Sequence, residues 1–216
     1  MLHFVCLILC GVTHSFCCSH FTSSSATVTN WMLFVRQMIG EMVILHHDAI
    51  GGPCIVVEID ESKFGKRKCH RGHCVEGVWV FGGVERTPER HYFLVKVANR
   101  NRSTLYDLIH SHILPGTLIR SDKFSSYSTI DKIEGCHCAA HQMGNHSKTY
   151  KDWMTSCDTN TIECTWNDVK AGAPIRKRTW KMVQICHCEF MWCRQNEGYL
   201  WESLADALMT VRYTLH

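Results

Sequence analysis

The chain has 216 residues, of which 45% are apolar and 20% are charged. This composition supplies enough apolar surface for a hydrophobic core and excludes wholesale disorder. The 23 basic and 20 acidic residues give a formal net charge of +3, which is too small to indicate a nucleic-acid partner by itself.

The first 22 residues are apolar and rich in cysteine. Their longest apolar run, residues 4–12, is shorter than the roughly 18 residues that a membrane-spanning helix needs, so we expect no membrane association. The run could be the core of a signal peptide, which would make this a secreted, disulfide-linked protein, or it could form a short buried helix. Because no lysine or arginine precedes it and no clear small-residue cleavage site follows, the buried helix is favoured.

A helix is predicted after the capping hydroxyls of residues 23–27. Its apolar residues recur at three- and four-residue steps, which is typical of a helix with one buried face; they are Val28, Trp31, Met32, Val35, Met38 and Ile39. Gly51, Gly52 and Pro53 end this region. The expected organisation is an N-terminal helical segment, residues 1–50, followed by one main domain, residues 51–216.

Four strand candidates follow this boundary. Residues 55–60, 77–84 and 92–97 are rich in β-branched and aromatic side chains, which predicts an antiparallel meander. Ser103 is the expected cap of a helix that stops before Pro115, and residues 117–122 form the fourth strand. Since a strand–helix–strand connection with short links is a right-handed crossover, the fourth strand should pair in parallel.

The rest of the chain adds mainly helices. Residues 128–158 are polar and are predicted to be loop-rich around one short strand. Asn160 opens a helix that ends near Gly172, and residues 180–194 and 199–213 are predicted to form two more helices. The expected fold class is α/β, a mixed sheet of about five strands flanked by helices.

Three acids lie at the ends of predicted elements. Asp60 ends the first strand, Asp122 ends the fourth, and Glu163 lies in the first turn of the following helix. If the two strands are neighbours, the aspartates meet at one edge of the sheet, and a helix packed there brings Glu163 to the same point. Three carboxylates repel one another unless a cation joins them, and Mg²⁺ prefers oxygen ligands. Two such ions can drive phosphodiester chemistry.

Each acid also has a purely structural interpretation. Asp122 could cap a helix, Asp60 could begin a turn, and Glu163 could complete a capping-box-like turn with Asn160.

The histidines and cysteines offer a different metal site, because two groups contain zinc-binding residue types. The groups are Cys69, His70, His73 and Cys74, and Cys136, Cys138, His141 and His146. Their spacing lacks the paired geometry of a tetrahedral site, which favours reduced thiols in a cytosolic or nuclear protein.

Blocks of sequence around the three acids carry a family resemblance. In chain order they are IGGP (50–53), VVEIDESKFGKRK (56–68), RG (71–72), VEGVWVFGGVER (75–86), FLV (93–95), TL (104–105), ILPGT (113–117), SD (121–122), NHS (145–147), TNTIECTW (159–166) and EFMW (189–192). Together they resemble the Merlin transposases and their bacterial ISXO-like insertion-sequence relatives over roughly residues 24–195.

This resemblance implies a ribonuclease H-like fold with a DDE triad at Asp60, Asp122 and Glu163. It implies that the triad holds two Mg²⁺ or Mn²⁺ ions, which activate water to nick transposon ends and then a DNA 3′-hydroxyl to join them to target DNA. His146 matches a family block near the third acid and could orient the scissile phosphate, or it could satisfy a loop. Asp158 departs from the family, whose members tend to have histidine there.

Two basic segments flank the proposed metal site. They contain Lys63, Lys66, Arg67, Lys68 and Arg71, and Lys170, Arg176, Lys177 and Arg178. Phosphate neutralisation is a natural use for such residues, although they could also be solvated loops.

Residues 24–31 resemble the last helix of a helix-turn-helix in relatives, or they form an ordinary packing helix; no zinc ribbon is visible in residues 1–22. Trp79, Trp166 and Trp192 are interpreted as core residues.

The leading hypothesis is a DDE transposase, or a truncated form of one, that acts on DNA and assembles as a homo-oligomer when active. We expect it in the nucleus of a eukaryotic cell, or in the cytoplasm and nucleoid of a bacterium. The alternative is a catalytically silent, host-recruited DNA-binding protein derived from a transposase.

Overall fold

The computed structural model describes residues 2–45, 49–65, 77–122, 125–127, 140–144, 159–173 and 178–210. The chain separates into two compact units, divided after residue 47 and after residue 184, and its last part belongs to the same unit as its first. The helices and strands are α1 Leu2–Leu9, α2 His14–His20, α3 Ser25–Leu45, β1 Ile50–Gly51, β2 Val56–Phe64, β3 Val78–Glu85, β4 Tyr92–Val97, α4 Arg102–His112, β5 Ile113–Leu114, β6 Leu118–Asp122, the 3-10 turn η1 Ser125–Tyr127, β7 Ala140–Gly144, α5 Asn160–Gly172, α6 Trp180–Gln195 and α7 Leu200–Thr210.

The unit formed by residues 48–184 contains a mixed sheet with the strand order β4-β3-β2-β6-β7. Strands β2, β3 and β4 pair antiparallel, while β6 runs parallel to β2 and β7 runs parallel to β6. A two-stranded parallel sheet of β1 and β5 accompanies it. The predicted meander and the predicted parallel pairing of the fourth strand are therefore confirmed, and the α/β class with them.

One face of the main sheet carries the hydrophobic core against α4. The core contains inward-pointing residues of β2, β3, β4 and β6 together with Leu105 and Ile109 of α4. The predicted cap of this helix was wrong. Asn101, rather than Ser103, precedes the first turn, and its side-chain oxygen accepts a hydrogen bond from the Thr104 N–H at 3.0 Å. Asparagine at this position is as good a cap as serine, so local propensity could not separate them.

The opposite face of the sheet packs against α5, whose Ile162, Trp166 and Val169 are buried as predicted. Close approach of this helix depends on Gly82 in β3. A Cβ atom added to Gly82 would lie 2.8 Å from the Trp166 ring and 2.8 Å from the Leu94 side chain. The absence of a side chain therefore leaves room for the indole beside the strand.

The unit formed by residues 1–47 and 185–216 is helical in its described part. Four residues of α1, Phe4, Val5, Ile8 and Leu9, are buried, as expected for a short packing helix. Ser24 caps α3 by accepting a hydrogen bond from the Thr27 N–H at 3.1 Å. None of the described helices is long and apolar enough to cross a lipid bilayer. The nine cysteines in the described ranges are free thiols.

Candidate active site

Strand register places two of the predicted acids on one face of the sheet. Strands β2 and β6 pair in parallel as far as Glu58 opposite Arg120, and Asp60 and Asp122 each lie two residues beyond that pair. Side chains two residues apart in a strand share a face. Asp60 therefore points to the same side as Glu58, which is the side that α5 covers.

The third acid, Glu163, is brought to this face by the first turn of α5. A residue of the sheet holds the N-terminal turn of α5, because Glu58 Oε2 accepts a hydrogen bond from the Ile162 N–H at 2.9 Å. Glu58 is buried, and its Oε1 lies 3.2 Å from Nε of Arg86. Thr159 makes no side-chain cap bond and instead donates to Glu163 Oε1 at 3.2 Å. Glu58 thus supplies the capping acceptor that the local sequence lacks.

Trp166 connects α5 directly to the first acid. Its indole N–H donates to Asp60 Oδ2 at 3.0 Å, and the residue is 4% exposed. The interpretation of Trp166 as a core residue is correct but incomplete, since the buried indole also orients a carboxylate.

The three acids are coupled electrostatically. Burial, as the largest cause, and repulsion from Asp122 and Glu163 together raise the pKa of Asp60 to about 6, although hydrogen bonds from the Glu61 backbone and Trp166 oppose the change. Among the residues that the structure describes, no three His, Cys, Asp or Glu side chains form a group that could hold a metal ion as they stand. The available donor atoms are carboxylate oxygens whose mutual repulsion a cation would relieve, and such oxygens suit a hard divalent cation such as Mg²⁺.

Glu61 is a fourth carboxylate beside this cluster, which the sequence analysis did not single out. Its side chain is 4% exposed and lies 3.6 Å, Oε2 to Nη1, from Arg100. Burial raises the pKa of Glu61 to about 8, with repulsion from Asp60 and then Asp122 adding to the effect and Arg100 opposing it.

This shift makes the stability of the fold depend on pH. In the unfolded chain Glu61 releases its proton near its ordinary pKa of 4.5, whereas the folded chain retains it up to about pH 8. Between these values the folded chain binds more protons, so its free energy of unfolding falls as the pH rises. We expect Glu61→Gln to remove much of this fall and to stabilise the chain at pH 8, by on the order of a few kcal/mol.

Urea unfolding at pH 5, 6.5 and 8 measures the effect of Glu61→Gln. The matched control is Glu89→Gln, because Glu89 is exposed in the turn between β3 and β4. Parallel pH profiles for Glu61→Gln and the wild type would show that Glu61 ionises normally in the folded chain.

The structure brings one of the predicted DNA-binding cations to the cluster. Lys170 follows Glu163 by two helical turns, and the pKa of Lys170 is lowered by burial and then by Arg178, while Asp60 opposes this. Arg178 donates to the carbonyls of Ala173 at 2.8 Å and Lys170 at 2.6 Å, which closes the end of α5. Lys63 is exposed on the other face of the sheet.

Several predicted residues lie outside the described part of the chain. These are His146, Lys66, Arg67, Lys68, Arg71, Arg176, Lys177, Asp158 and all residues of the two proposed zinc groups except His141, whose backbone alone is described.

Comparison with known protein families finds a match to the main part of the chain. The model described as the ISXO2-like transposase domain matches residues 51–174, a range that contains all three acids and every strand of the main sheet. No protein matched in a comparison with curated sequences.

Proposed function

Since this chain belongs to the family of ISXO2-like transposase domains, whose model matches more than half of its residues, we propose that it cuts and joins DNA strands at transposon ends through a DDE site. The resemblance to insertion-sequence transposases is confirmed by this match. The closer likeness to Merlin transposases and the two-metal chemistry are parts of the proposal.

One observation carries the proposal. Asp60 and Asp122 stand on one face of two paired strands, and both Asp122 and Glu163 are near enough to Asp60 to raise its pKa. A structural cap or turn would not gather three acids from such distant parts of the sequence. The strand order, three antiparallel strands followed by two parallel ones, supports a ribonuclease H-like arrangement.

Asp60, Asp122 and Glu163 are the residues that would hold two Mg²⁺ or Mn²⁺ ions. Such ions, when bound, supply Lewis-acid activation of the attacking oxygen and stabilise the leaving oxygen of a phosphodiester. The chain itself contributes position and charge. The Trp166 indole fixes the Asp60 carboxylate, Glu58 fixes the first turn of α5 beneath Glu163, and Lys170 offers a cation to a phosphate near Asp60.

The remaining parts of the proposal concern DNA and assembly. We propose that the two basic segments contact DNA phosphates, that His146 orients the scissile phosphate, and that the active form is a homo-oligomer on paired ends. The N-terminal helices support a helix-turn-helix remnant, since α2 ends at His20, α3 begins at Ser25, and Thr29 and Asn30 are exposed.

Metal-dependent nicking of supercoiled plasmid by the purified chain tests the proposal. We expect Mn²⁺ to support nicking, and Glu163→Gln to reduce its rate by about a hundredfold or more, because a metal ligand is lost. The control is Asp168→Asn, which removes an exposed acid from the same helix. Equal rates for wild type and Glu163→Gln would contradict the DDE mechanism.

The same assay separates the second candidate, a catalytically silent DNA-binding protein. That candidate keeps the basic segments for DNA binding but lacks the metal-dependent step. It requires salt-sensitive DNA binding without any metal-dependent cleavage, with a salt dependence that weakens when Lys66, Arg67 and Lys68 are neutralised.

A further inference from the structure

Trp79 lies at the centre of a cluster of cations on the face of the sheet that α4 covers. The register of β2 and β3 sets Lys63 directly opposite Trp79. Cross-strand partners share a face of the sheet. The Lys63 ammonium lies 5.5 Å from the centre of the Trp79 ring, and Lys63 is exposed.

Arg100 brings a second cation to the same ring. Its guanidinium carbon lies 3.5 Å from the ring centroid of Trp79, the distance of a stacked contact. The side chain is 32% exposed. A guanidinium stacked by one face still presents its N–H groups at the edge, where they can contact a phosphate in a fork.

Two further contacts fix Arg100 beside the acidic cluster. Its carbonyl oxygen accepts a hydrogen bond at 3.1 Å from Ser126 Oγ, in the turn that follows Asp122 at the end of β6. Its Nη1 atom lies 3.6 Å from Oε2 of Glu61, which follows Asp60 in β2. Arg100 is therefore anchored to the segments that continue from both aspartates of the proposed active site.

We infer that Lys63, Trp79 and Arg100 form a phosphate-binding platform for DNA on the opposite face of the sheet from the proposed active site. The inference rests on the proposed function for its choice of DNA. The platform contains two partly exposed cations, Lys63 and Arg100, and both contact the Trp79 ring. The nearby acid, Glu61, is buried, so it does not cancel the positive charge at the surface. The platform lies on the opposite face of the sheet from the acids, and Arg100 connects the two through Glu61 and the turn that follows Asp122.

DNA binding measured without divalent metal tests the platform. A fluorescently labelled duplex is titrated with the full chain at several salt concentrations, and its anisotropy gives the affinity. We expect Arg100→Ala and Lys63→Ala each to weaken binding and to reduce the slope of log affinity against log salt by about 1, as for the loss of one phosphate contact. Arg100→Lys keeps the charge but loses the fork and the stacking, so it should retain the slope and bind more weakly than wild type.

The matched control is Arg90→Ala. Arg90 is exposed in the turn after β3, at the opposite end of that strand from Trp79, and its removal should leave the slope unchanged. If wild type binds DNA and Arg100→Ala and Arg100→Lys bind it with the same affinity and the same salt slope as the control Arg90→Ala, the platform is wrong. The proposed function is not contradicted by that result. If wild type binds no DNA, both fail. If polyglutamate competes as well as unlabelled DNA at equal charge, the platform is an acidic-protein site instead.

Discussion

Replacing Asp60 by asparagine is expected to abolish metal-dependent DNA nicking while leaving the folded chain at least as stable as wild type. The amide keeps an oxygen that can accept the hydrogen bond from Trp166, so packing around the position is preserved. It cannot carry the negative charge that a divalent ion requires. Loss of this ligand should lower the nicking rate by about a thousandfold, since metal stabilisation of the transition state is worth several kcal/mol.

The same substitution should change stability in the opposite direction to activity. Burial raises the pKa of Asp60 to about 6, so above that pH the folded chain contains a carboxylate that its surroundings destabilise. The charged form is less costly in the unfolded chain, and Asp60→Asn should therefore stabilise the fold at pH 8 by roughly 1–2 kcal/mol. Urea unfolding measured beside the nicking assay shows both effects.

Asp107→Asn is the control for Asp60→Asn, because Asp107 is an exposed acid on α4 and its loss changes the net charge equally. It should retain wild-type nicking and stability. Wild-type nicking by Asp60→Asn would exclude this residue as a metal ligand. A loss of nicking accompanied by a clear loss of stability would show instead that Asp60 acts through the fold.

The strands that carry Asp60 and Asp122 could be predicted because each contains a β-branched run, and period and composition are local signals. The predicted end of the first strand at Asp60 was wrong, because β2 continues to Phe64. The parallel direction of β6 followed from the strand–helix–strand connection through α4. That connection does not identify β2 as its neighbour, which was only a condition of the predicted acidic site. The helix that carries Glu163 was recognisable from its apolar face and its opening asparagine. These features depend on residues that are close together in the sequence, so they can be predicted from one sequence alone.

Contacts between distant segments could not be predicted in the same way. Glu58 looks like an ordinary strand residue, and only the folded sheet shows that it caps a helix 104 positions later in the sequence. Trp166 has the spacing of a core residue, and its bond to Asp60 depends on the space that Gly82 leaves. The alternation of Glu58 and Asp60 on one face of a buried strand was a usable signal, because buried acids need partners.

The contact between Glu58 and α5 leads to the second large effect, a loss of stability in Glu58→Ala. The Glu58 carboxylate is 0% exposed, and it accepts a hydrogen bond from the Ile162 N–H and forms an ion pair with Arg86. The substitution removes both interactions. Arg86 retains access to water because its side chain is 31% exposed, which limits its share of the cost. We expect a loss of about 2–3 kcal/mol in the free energy of unfolding.

Glu58→Gln separates the cap from the ion pair. The amide oxygen can still accept from Ile162, so this variant should lose only about 1 kcal/mol. Glu89→Ala, an exposed change on the same unit, should stay within about 0.5 kcal/mol of wild type in urea unfolding.

Nicking measured where all variants are folded adds a functional test. If Glu58 positions Glu163, Glu58→Ala should nick more slowly than Glu58→Gln, whereas equal nicking rates would confine Glu58 to a role in stability.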